Sequence, residues 1–186
     1  MKKALSSAVV LLVLGIICGA VLALVNTITS PVIAQYELDK KMEALEGFFA
    51  DELTSNQKIA DVFDVEEIEG TGGIKTIYLL EHKTEQTKSA VYSVSALGWK
   101  TNVDMMIAVD EDMTLRGYAF VTNGGTEAIG LTMIGATLNL ADNISIQDTV
   151  QDYDSVGGVS APVTGSGVKA CFQLVALRVS QDLGGE

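Results

Sequence analysis

The residue types that could do chemistry in this 186-residue chain are few, and they gather near its C-terminal end. Between Asp154 and Gly167 the sequence runs Asp154-Ser155-Val156-Gly157-Gly158-Val159-Ser160-Ala161-Pro162-Val163-Thr164-Gly165-Ser166-Gly167, glycine mixed with hydroxyls ahead of an apolar-periodic segment. Backbone amides in a glycine-rich turn, followed by a helix N-terminus, suit an anionic group such as phosphate. Ser160, Thr164 and Ser166 place hydroxyls in the same stretch. The same hydroxyls also suit plain N-capping, since Ser and Thr are favoured there whether or not a ligand is present.

Elsewhere the inventory is thin. His82 is the one histidine, and no second His or Cys stands near it to share a metal. Glu66-Glu67 and Asp110-Glu111-Asp112 could attract cations, but the calcium-loop pattern with its glycine and distal Glu is missing, so solvated turns are the expectation and no metal site is assigned. No GxSxG, Walker loop or strand-linked GxGxxG occurs, and no independent catalytic residue is expected. Cys18 and Cys171 are far apart in sequence, and no disulfide is expected between them.

The elements that must position these residues begin with a membrane segment. Ala8 to Val25 carries no charge, and with flanking apolar residues it is long enough to cross the hydrocarbon core. Lys2 and Lys3 precede it, and no acidic residue occurs before Glu37. The positive-inside rule then puts the N-terminus in the cytoplasm and the remainder outside. The length of the apolar run and the lack of a small-x-small cleavage site argue for a retained anchor over a cleaved signal. Gly15 and Gly19, four apart, could admit a second transmembrane helix, though glycine is also common in such helices. After position 36 stand 10 basic against 24 acidic residues, a net of about −14, which excludes nucleic acid as a partner.

Pro31 is expected to end or kink the span. Ile33–Phe49 then reads as an amphipathic helix, with Tyr36, Met42 or Leu45, and Phe49 on one face. Asp51 to Gly73 reads as an acidic connector closing on a glycine turn. Strands are expected at Ile74–Glu81, Ala90–Ala96, Asp104–Val109 and Leu115–Thr122, with a hairpin turn at Asp110–Asp112. Thr126–Ala141 reads as a helix, and a last helix carries the stripe Val168, Cys171, Phe172, Val175, Val179 and Leu183. The fold class is α+β: one transmembrane helix, then an antiparallel sheet with helices packed against it. The division runs 1–7 cytoplasmic, 8–30 membrane helix, 31–73 helix and connector, 74–186 extracytoplasmic domain.

In this order and spacing the chain resembles the G subunit of Rnf-type ion-translocating ferredoxin:NAD oxidoreductases. It is similar, more distantly, to the C subunit of sodium-translocating NADH:quinone reductase; both belong to the flavin mononucleotide (FMN)-binding domain family. The resemblance is carried by Ile17–Asn26 with Thr29, Pro31, Ile33 and Ala34, by Gly98-Trp99, and by the segments Met105–Val109 and Gly117–Val121. Gly125-Thr126-Glu127-Ala128-Ile129-Gly130 looks like that family's Glu-Thr-Pro-Gly-Leu-Gly loop, with Thr126 and Gly130 kept.

The resemblance implies FMN held through a phosphoester to the last hydroxyl of Asp-x-x-Ser/Thr-Gly-Ala-Thr/Ser. Its best counterpart is Asp154–Ser160, with Asp154, Gly158 and the acceptor Ser160 in place, Gly157 replacing Ser/Thr and Val159 replacing Ala. Pairing backward from the last helix puts Pro162, which has no hydroxyl, at the acceptor position. A literal Gly135-Ala136-Thr137 occurs earlier, with Leu131 where the aspartate belongs. The implied cofactor site is therefore Ser160, Asp154 and Gly158, with Thr126, Gly130 and Thr164 around it. The implied function is an electron-carrier flavoprotein subunit of an Rnf-like complex, with other membrane subunits and lipid as partners. The alternative is a structural subunit of the same fold without covalent flavin.

Overall fold

The computed structural model describes residues 2–54, 57–99, 101–121, 137–156 and 159–184, with side chains described outside 2–10, 31–42, 156, 159 and 160. The chain divides into two compact units, Met1–Lys40 and Lys41–Glu186.

Helix α1 spans Lys2–Phe48. Within it, Leu11–Ser30 is a 20-residue stretch of mean hydropathy 2.6, none of it buried, long and apolar enough to cross a membrane. The helix does not end at Pro31, contrary to one of the two outcomes expected of that proline. Proline is tolerated in membrane helices when neighbouring side chains occupy the freed backbone groups. In the preceding turn the Thr27 hydroxyl donates to the Ala23 carbonyl at 2.8 Å and the Thr29 hydroxyl to that of Val25 at 2.9 Å. Both polar side chains are thus satisfied within the helix, while the carbonyl that loses its N–H partner at Pro31 is that of Thr27.

The second unit is built on a five-stranded antiparallel sheet in sequential order. Its strands are β1 Phe63–Glu69, β2 Ile74–His82, β3 Lys88–Leu97, β4 Asn102–Asp110 and β5 Leu115–Phe120. The four expected strands appear at their places and β1 is an addition, preceded by the single turn α2, Ile59–Val62. Its sequence, Phe-Asp-Val-Glu-Glu-Ile-Glu, looks like connector because β1 is an edge strand with four carboxylates. Charge on an edge blocks pairing with other chains, so it hides a strand from hydropathy without preventing one.

The central strands are buried on both faces, and alternate residues serve different cores. Tyr92, Val94, Met105, Ile107 and Val109 point to one side, where α3, Pro162–Asp182, lays down Val168, Cys171, Phe172, Val175 and Val179. Val91, Met106, Ala108, Tyr78 and Leu80 point to the other, where Leu45, Phe49, Ile59 and Phe63 cover them. Phe49 is fully buried, its ring centroid 4.8 Å from that of Phe63 and 4.6 Å beneath the Arg116 guanidinium. Arg116 itself bridges Glu52 and Asp110, and Asp110 also accepts from Ser89 at 2.7 Å.

The end of α3 is locked by a buried polar contact. Tyr92 is fully buried, and its hydroxyl donates to Asp182 Oδ2 at 3.1 Å. Burial, reinforced by the carboxylate beside it, pushes the phenol far up from its ordinary pKa, so it stays a neutral donor. The Asp182 side chain, 7% exposed, also takes the Arg178 guanidinium. Asp182→Ala is expected to lower stability by about 2 kcal/mol, because the Tyr92 hydroxyl is left buried without an acceptor. Chemical denaturation followed by far-UV circular dichroism measures it. Adding Tyr92→Phe should recover part of the loss, and an Asp182→Ala midpoint equal to wild type would refute the assignment.

Candidate functional site

The Asp154–Gly167 stretch is divided by the structure into a hairpin and a helix. Ser155–Val156 (β6) and Val159–Ser160 (β7) form a two-stranded antiparallel ladder with Ser155 opposite Ser160. The Ala161 N–H donates to the Asp154 carbonyl at 3.0 Å, closing the hairpin's base. Helix α3 then starts at once, with Pro162 in its first turn, a position where proline's missing N–H costs nothing.

This corrects the expectation of a glycine-rich loop running to Gly167. Val163 to Gly167 are helical, and the residue at the cap is Ala161, with no side-chain hydrogen bond to the helix start. Among the described side chains, Thr164 and Ser166 lie inside the helix and not at its cap. Ser166 donates back to the Pro162 carbonyl at 3.0 Å. Thr164 is 1% exposed and faces inward from the first helical turn.

The glycines do a different job from the one read in sequence. A Cβ on Gly165 would lie 1.6 Å from the Tyr153 carbonyl oxygen, and one on Gly167 would lie 2.8 Å from the Leu97 carbonyl oxygen. They let the loop before the hairpin, and the end of β3, press directly on the helix. Tyr153 fixes that loop: its hydroxyl donates to the Thr149 carbonyl at 2.6 Å and its ring lies 5.9 Å from that of Phe172. Burial pushes its phenol up to about 12, so Tyr153 is an anchor and not a base.

Beside the hairpin lies an open cleft of ≈ 490 Å³, bordered by Thr137, Leu138, Gln151, Tyr153, Asp154 and Ser155. Leu138 is held there by Tyr118, whose hydroxyl accepts its N–H at 2.6 Å. Thr137 to Ala141 are irregular, so this end of the expected Thr126–Ala141 helix is not helical. Thr126, Gly130 and Gly158 lie outside the described residues, and of Ser160 only the backbone is described. Asp154 and Ser155 are exposed on the cleft rim. The structure thus brings Asp154 and the Ser160 backbone together at the start of α3.

The remaining polar clusters serve turns. His82 Nδ1 accepts the N–H groups of Thr84 and Glu85 at 3.2 and 3.0 Å, capping the β2–β3 turn. Asp112 accepts the Thr114 N–H at 3.0 Å, and Asp110 holds Arg116. Among the described residues no three His, Cys, Asp or Glu side chains converge as a metal site. Cys171 is buried with its thiol pushed up to about 12 by desolvation, and it points at the Val103 carbonyl. That thiol is packing, not redox chemistry.

Comparison with known families bears on the other end of the chain. A model of the RnfG N-terminal region matches residues 1–46. Over those residues the chain is similar to RnfG. The match covers the apolar stretch Leu11–Ser30 and runs to the last turn of α1, where Leu45 enters the core beneath the sheet. Among curated proteins none matches the chain.

Proposed function

We propose that the chain is a membrane-anchored subunit of an Rnf-like ion-translocating oxidoreductase complex. In this reading it carries FMN on Ser160 and relays electrons, with its N-terminus in the cytoplasm and its domain on the opposite side of the membrane. The observation that carries the reading is the RnfG match over residues 1–46. The hairpin supports it: Ser160 lies two residues before Pro162, where α3 begins without a side-chain cap. The first N–H groups of a helix have no partner within it and carry its positive end, which suits a phosphate.

The residues of the site take distinct parts. Ser160 Oγ tethers the phosphate as an ester, and Gly158 lets the backbone approach it. Asp154 accepts the Ala161 N–H through its carbonyl and so holds the hairpin against the helix. The resemblance assigns Thr126 and Gly130, which lie outside the described residues, to the cofactor pocket, together with Thr164 of the first turn of α3. When bound, FMN supplies the electron chemistry, while the protein supplies attachment, orientation and the local field. Neighbouring membrane subunits pack on the anchor, where a methyl added at Gly15 or Gly19 would meet nothing within 4 Å.

Mass spectrometry of the Ser160 peptide, from protein made in its own host, is expected to show the mass of FMN less one water. An unmodified peptide would sink the tether. It would favour a second reading, a structural subunit of the same fold, for which Gly157, Val159 and Pro162 are the specific departures. A flavin absorbance band surviving denaturation distinguishes the two in one spectrum.

A further inference from the structure

The turn between β3 and β4 is built to leave apolar side chains outside. Gly98 donates its N–H to the Thr101 carbonyl at 3.1 Å and is buried, while the residues flanking it are turned outward. Leu97 is 80% exposed and Trp99 59% exposed. The start of α3 lies at the same end of the sheet, because the Leu97 carbonyl sits against Gly167. Val163, one helical turn before Gly167 on that face, is 44% exposed. Three apolar residues from two elements therefore stand bare in one region, which is the pattern of an interaction surface more than of scattered surface hydrophobes.

The charge around them points to the class of partner. The domain carries about 14 more acidic than basic residues, yet no Asp or Glu occurs from Gln86 to Val103, or from Ser155 to Gln181. These two acid-free stretches are the ones that contribute Leu97, Trp99 and Val163. Of the four carboxylates bounding them in sequence, Asp104 is held by Lys75 at 3.0 Å and Asp182 by Arg178 at 3.0 Å, while Glu85 and Asp154 are exposed. Lys100 follows Trp99 directly. An indole and a leucine at a turn, followed in sequence by a lysine and set in a stretch without acidic residues, are what the boundary between headgroups and acyl chains takes up.

A bilayer is the partner always at hand, because the chain has its own segment able to span one, Leu11–Ser30. A surface tethered to a membrane meets it at high effective concentration, so a patch of three side chains suffices where a free protein would need more.

We propose that the Leu97–Trp99 turn, with Val163, is a lipid-interface contact: it inserts among the headgroups of the membrane to which the chain is anchored. The contact favours zwitterionic lipid, since the acidic remainder of the domain is repelled by an anionic surface.

Trp99 is the single tryptophan, so the intact chain reports on itself. Full-length protein is reconstituted in phosphatidylcholine vesicles, with and without bromine on the acyl chains near the headgroup. Brominated lipid is expected to remove most of the tryptophan emission, and in plain lipid acrylamide should quench little. Leu97→Asp with Val163→Asp, both at exposed positions, is expected to abolish the bromine effect and restore acrylamide quenching, with the circular dichroism spectrum unchanged. Equal emission in plain and brominated vesicles would overturn the proposal. So would emission shielded from acrylamide but indifferent to bromine, which marks a protein partner, or emission that responds only to removal of bound flavin.

Discussion

Phe49→Ala is expected to lower the stability of the domain by about 3–5 kcal/mol, the range for deleting a fully buried aromatic side chain. The ring has no exposed surface, packs on Phe63 and lies under the Arg116 guanidinium. Removing it opens a cavity beneath the sheet and takes away the apolar floor of the Arg116 ion pairs with Glu52 and Asp110. Domains are typically stable by about 5–15 kcal/mol, so a loss of this size removes a large share of the margin. Phe49→Leu, which refills most of the volume, should lose far less, and Leu177→Ala, at a side chain 69% exposed, should change little. Urea unfolding of the detergent-solubilised chain, followed by circular dichroism, measures all three. A Phe49→Ala midpoint matching that of Leu177→Ala would show that the residue following α1 is not part of the core.

Gly165→Ala should destabilise the protein by about 3 kcal/mol, in the upper range for overpacking. In an ordinary helix interior this substitution is favourable by about 1 kcal/mol, because alanine has the higher helix propensity. The sign reverses here because the new methyl would sit 1.6 Å from the Tyr153 carbonyl oxygen and 2.7 Å from its carbon. Both are backbone atoms, so no side-chain rotation relieves the clash, and the loop carrying Tyr153 must lift from the helix. Asp154 moves with it, and Asp154 closes the base of the Ser155–Ser160 hairpin. The melting temperature should fall, and any flavin attached to Ser160 in the host should fall with it. An unchanged or raised melting temperature would contradict the close packing of loop on helix.

The anchor and most of the sheet were legible in the sequence because their signals are local. The span announces itself by the uninterrupted apolar run Ala8–Val25, and β2 to β5 by β-branched and aromatic runs with a turn at Asp110–Asp112. The last helix showed its buried stripe as well, and Val168, Cys171, Phe172, Val175 and Val179 are all buried. β1 escaped because four carboxylates on an edge strand imitate a linker. The start of α3 escaped because two glycines within six residues of a proline read as loop punctuation.

Of the candidate site, residue order along Asp154–Ser160 was readable, while the setting of those residues was not. Chain order alone determined an apolar span, an acidic domain after it, and the composition of a hydroxyl- and glycine-rich segment before the final helix. Tertiary structure decided what the glycines are for, since the atoms that forbid a side chain at Gly165 and Gly167 belong to Tyr153 and Leu97, 12 and 70 positions away. It also decided that Thr164 faces inward, that Asp154 holds a hairpin, and that Leu97 and Val163 stand at one end of the sheet. Periodicity records how each residue faces its own element; which elements meet is set by packing between segments remote in the chain.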